Sequence, residues 1–147
     1  MVPTLMGRIQ TRIFLLATVG VIVTALLVPF LPGLDGPLSE SYRTAYLVLA
    51  AVAVLGVGWE FIYHFLMQFR WEKDWPTLFG LITLVPEGLL LFLLLRADVL
   101  AFVIDPAPPA SAFWTLFIVV WIAVWLVANG PMRVPFIRWR FRGGRVL

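Results

Sequence analysis

At 147 residues, with 62% hydrophobic and only 13% charged side chains, the chain has more apolar surface than a water-soluble domain can cover. Its mean hydropathy of +0.99 makes sense in lipid. The formal net charge is +3 and cysteine is absent, which excludes disulfides, thiolate metal sites, iron–sulfur clusters and cysteine nucleophiles.

Four apolar runs of about the 20 residues needed to cross a bilayer fall at 13–31, 45–69, 77–95 and 113–128. The first follows Arg8 and Arg12, the layout of a signal peptide. It exceeds the usual apolar core of about 7–15 residues and lacks a small-x-small cleavage site, so it reads as a retained helix. The turn residues Pro32, Gly33, Gly36 and Pro37 follow it. Within the second run Gly56, Glu60, His64 and Gln68 recur at intervals of four, and Ala53 extends the row. Residues so spaced share one helix face. That face is small at one end, where Ala53 and Gly56 would admit a neighbouring helix, and polar at the other.

A short charged loop from Arg70 to Pro76 leads into the third run, with Pro76 placed to open its helix. Gly80, Thr83 and Glu87 recur there at spacings of three and four, and Pro86 predicts a kink. At about 1.5 Å per residue, Glu87 lies roughly 15 Å from the start of its helix and Glu60 at a similar depth. The short loop therefore predicts that Glu60, His64 and Glu87 meet in one polar cluster. The Pro-rich segment 105–109 cannot be helical. The fourth run then carries Trp114, Phe117, Trp121 and Trp125 on one stripe, read as packing or meeting lipid, docking on a partner subunit, or stacking on a quinone or pigment ring.

The tail 132–147 is treated as a unit apart from the transmembrane domain 1–131. Its alternation of Arg138, Arg140 and Arg142 with apolar residues is near the period of a strand, and Arg145 follows. Anionic headgroups or a protein partner are the expected contacts; five arginines on a membrane tail argue little for nucleic acid. Over four crossings, Arg8, Arg12, Arg70, Lys73, Arg133, Arg138, Arg140, Arg142 and Arg145 fall on one side, and Arg43 and Arg96 on the other. That asymmetry predicts cytoplasmic termini, with Trp71, Trp75 and Trp139 in the inner aromatic belt. The near-exclusive use of arginine over lysine suggests a high-GC bacterial genome, hence a bacterial plasma membrane.

The sequence thus predicts an all-α, polytopic integral membrane protein, a four-transmembrane-helix bundle with short loops. It carries no Rossmann glycines, P-loop, His-Glu-x-x-His or nucleophile elbow, so enzymatic activity is not the favoured reading and no cofactor or metal is predicted. A non-catalytic subunit that anchors or stabilises a larger membrane complex, or a homo-oligomer, is preferred. A proton- or ion-conducting component using the Glu/His cluster comes second. A haem- or quinone-binding electron-transfer subunit, with His64 as its sole imidazole ligand, comes third.

Overall fold

The computed structural model describes residues 3–147 and contains no strand among them. Four helical spans are long and apolar enough to cross a membrane: Leu5–Phe30, Leu38–Met67, Thr77–Arg96 and Ala110–Arg133. The protein is a multi-pass membrane protein built as a four-helix bundle. Antiparallel connectivity places both described chain ends and the 68–76 loop at one end of the bundle, the terminal end. Segments 31–37 and 97–109 lie at the other.

The first span starts at Leu5, not at residue 13. Thr4 caps it, its Oγ1 accepting a hydrogen bond from the Gly7 amide at 3.1 Å, so Arg8 and Arg12 belong to the helix and not to a flank. This span comprises α1 (Leu5–Leu15), a π-turn (Leu16–Gly20), α2 (Val21–Leu27) and a closing 3-10 turn (Val28–Phe30). The second span is α3 (Leu38–Met67). The third is broken at Thr83 into α4 (Thr77–Ile82) and α5 (Leu84–Arg96). Pro86 explains the break: without an N–H it cannot bond the carbonyl of Ile82. The fourth span is α6 (Ala110–Asn129), continued by a 3-10 turn at Pro131–Arg133.

Away from the terminal end the core is apolar. Val28, Val48, Leu91, Leu95 and Phe113 are all buried there, with Phe113 only 1% exposed. Gly88 lets α5 and α6 approach closely, because a Cβ at that position would lie 2.7 Å from Phe117 and 2.8 Å from Trp114.

The tail differs from the strand-like ribbon expected of it. It forms a short helix, α7 (Ile137–Phe141), and folds back on α1. The Thr4 amide donates to the Gly143 carbonyl at 2.9 Å, and Thr11 Oγ1 to that of Gly144 at 2.8 Å. The indole N–H of Trp139 donates to Thr11 Oγ1 at 2.7 Å. The backbone turns through positive φ at Gly143 and Gly144, a conformation glycine adopts without a Cβ penalty. On Gly7 a Cβ would run into the Gly143 carbonyl.

Candidate functional site: an intramembrane ion cluster beside a cavity

Two carboxylates lie inside the terminal half of the bundle, Glu60 on α3 at 6% exposure and Glu87 on α5 at 5%. Both meet arginines of α1. Arg12 joins them: its Nε donates to Glu60 Oε1 at 2.8 Å, its Nη1 to Glu87 Oε2 at 2.7 Å, and its Nη2 to Glu87 Oε1 at 2.9 Å. Arg8 Nε donates to Glu60 Oε2 at 2.6 Å. The hydroxyl of Tyr63 completes the shell, donating to Glu87 Oε1 at 2.9 Å. Two guanidinium groups and two carboxylates sum to no formal charge. Pairing and additional hydrogen bonds are what make buried charges tolerable.

The surroundings are shaped for these groups. A Cβ on Gly56 would lie 2.6 Å from Arg12 Nη1, so this glycine clears space for the guanidinium. The guanidinium carbon of Arg8 sits 4.7 Å from the Trp75 ring centre, and that of Arg12 sits 5.7 Å from Trp121. Both separations are within cation–π range.

The predicted cluster is therefore present in part and completed by residues assigned to another task. Glu60 and Glu87 come together; His64 and Gln68 do not join them. Gln68 Nε2 donates to the His64 carbonyl at 3.2 Å and approaches its ring at 3.5 Å. Among the described residues, no hydrogen bond links His64 to the carboxylates or the arginines. The reason is helical drift. At 3.6 residues per turn, each step of four rotates about 40° off the face. The buried face instead runs from Gly56 and Glu60 to Tyr63 and Met67, which are 4% and 0% exposed. Ala53 sits half-buried at the edge of the core. Thr83 bonds locally, donating to the Gly80 carbonyl at 3.1 Å.

The aromatic stripe packs along the third span, with Phe117 buried and Trp114, Trp121 and Trp125 half-buried. Trp121 and Trp125 donate their indole N–H groups to the carbonyls of Gly80 and Thr77, at 3.1 and 3.0 Å. Trp114 and Phe117 lie over Gly88. The small residues of the third span and its break at Thr83 leave α4 and α5 open to these rings. Trp75 and Trp139 serve the interior, whereas Trp71 is 99% exposed. The tail arginines Arg138, Arg140, Arg142 and Arg145 are exposed, with no salt bridge among the described residues.

A cavity of about 280 Å³ opens beside the cluster. Its lining includes Gly144, Asn129 and Arg133 at the terminal end of the bundle, then Arg8, Arg12 and Glu60. Leu16, Val48, Val52 and Leu116 form its deep end. His64 does not line it, and among the described residues no three of His, Asp and Glu converge as metal ligands.

No family model matches the chain, and comparison with curated proteins and with solved structures finds no match.

Proposed function

We propose that this chain is a non-catalytic subunit that anchors or stabilises a larger complex in a bacterial plasma membrane, with both termini cytoplasmic. One observation carries the reading. Glu60 and Glu87, the intramembrane carboxylates, are engaged by Arg8 and Arg12 in a charge-neutral network that ties the first span to the second and third. An ion-paired clasp of this kind suits a fixed scaffold. A proton relay needs titratable groups in sequence, and His64 lies outside the network. The exposed tail arginines offer a surface to headgroups or a cytoplasmic partner. Orientation is supported by Arg70, Lys73, Arg133, Arg138, Arg140, Arg142 and Arg145 at the terminal end. Only Arg43 and Arg96 stand against them.

The test is isolation of the full chain from its native membrane in mild detergent, alongside proton-flux measurement in proteoliposomes. A companion polypeptide in fixed stoichiometry, and flux no greater than in empty vesicles, are the expected results. A flux that Glu87→Gln abolishes would replace the scaffold by a relay.

A further inference from the structure

The cavity has one cationic end and one apolar end. At the terminal end of its lining, Arg133 is exposed, and its Nη2 donates to Asn129 Oδ1 at 3.0 Å. No carboxylate pairs with it among the described residues. Further in stands Arg8, whose side chain is only 9% exposed. Its Nε is committed to Glu60, but its two terminal nitrogens make no hydrogen bond to any described residue. Among the described residues the fully enclosed side-chain polar atoms without a partner are Thr24 Oγ1 and His64 Nδ1; the Arg8 nitrogens are not among them and stay reachable from the cavity that Arg8 lines. The four paired groups of the cluster cancel, so Arg133 leaves this compartment with one unmatched positive charge. Beyond Trp121 the walls turn apolar, through Leu16, Val52, Phe117, Val120 and Leu116. Pockets for small ligands are mostly apolar with a few converging polar groups, commonly about 300–1,000 Å³ in volume. At about 280 Å³ this one lies just below that range, the size for one slender chain.

We propose that the cavity holds a single acyl chain headed by an oxyanion. The oxyanion sits between Arg133 and the free nitrogens of Arg8, and the chain runs past Trp121 to Val48 and Leu116. A single negative charge would neutralise the compartment and give the idle Arg8 donors an acceptor. A neutral head does the second in part and the first not at all. The head chemistry is shared by a fatty-acid carboxylate and by the phosphate of an anionic phospholipid of the adjoining leaflet. Trp139, on the tail, also lines the cavity and is pinned to Thr11, so the tail forms part of its wall.

The experiment is native mass spectrometry of the full chain, stripped of lipid by detergent exchange. Oleate, dioleoyl phosphatidylglycerol and monoolein are titrated in turn; monoolein carries the same chain under a neutral head. One retained equivalent of oleate or of phosphatidylglycerol is expected, held about tenfold more tightly than monoolein, as befits a charge-assisted hydrogen bond. Arg133→Gln should remove that preference while leaving monoolein unchanged. Val120→Trp, which fills the cavity, should abolish retention of all three, and its circular dichroism reports whether the bundle still forms. If it does not, the Arg133→Gln comparison decides alone. Retention of oleate only makes the ligand a free acid, and retention of phosphatidylglycerol only makes it a membrane lipid. Equal retention of anionic and neutral probes would overturn the proposal. So would no bound equivalent of any probe, or wild-type retention by a folded Val120→Trp.

Discussion

The two halves of this bundle are held together by different chemistry. Toward the 31–37 and 97–109 segments, the spans meet through Val28, Val48, Leu91, Leu95 and Phe113, a core without ion pairs among the described residues. Toward the chain ends they meet through Arg8, Arg12, Tyr63, Glu60 and Glu87. Lipid tails are as apolar as leucine, so the first half gains from close packing and little from escaping its solvent. In the second half, each charged group would be worse off facing lipid than facing its partner. The apolar half is therefore sensitive to shape, and the ionic half to the presence of both signs of charge.

The largest effect should come from Arg12, whose loss leaves Glu87 with no cation and Glu60 with Arg8 alone. Arg12→Met is expected to cost about 3–5 kcal/mol, the range for breaking a buried pair from one side, read by unfolding in detergent. Phe113→Ala tests the other half. It removes a ring that is 1% exposed, at a cost of about 3 kcal/mol by comparison with other buried aromatics. Unlike Arg12→Met, it should not depend on which residue occupies position 87. Gly88→Ala places a methyl against Phe117 and Trp114 and should cost about 1–3 kcal/mol as overpacking; pairing it with Phe117→Ala should recover part of that loss.

How much of this was legible in the sequence differs between the halves as well. The four spans, the Pro86 break and the meeting of Glu60 with Glu87 followed from run length, proline chemistry and a short loop. Arg8 and Arg12 were legible as a topology signal and so escaped notice as partners, since basic flanks are the usual sign of a cytoplasmic end. Two features pointed the other way. Thr4 is a good N-cap, four residues before Arg8, and Arg8 and Arg12 are four apart, as Glu60 and Tyr63 are three apart on the facing helix. His64 misled for the opposite reason, because a row of fours holds one face only briefly. The tail alternation had no folded counterpart: a lone strand has no ladder to join, and the Gly143–Gly144 turn returns this segment to α1 instead.

Smaller effects sharpen the boundary of the cluster. Tyr63→Phe removes one hydrogen bond to Glu87 and should cost about 1 kcal/mol. His64→Gln, outside the network, should stay within about 0.5 kcal/mol of wild type. A loss at His64 as large as that at Arg12 would bring the imidazole back into the cluster.

The central claim is that the intramembrane carboxylates work as a charge-paired clasp. It is tested most directly by a double-mutant cycle of Arg12→Met and Glu87→Gln, with stability measured for all four proteins. Because Arg12 meets both oxygens of Glu87, the two losses should fall short of additivity by about 2 kcal/mol, within the range for directly contacting residues. Additive losses would contradict the account.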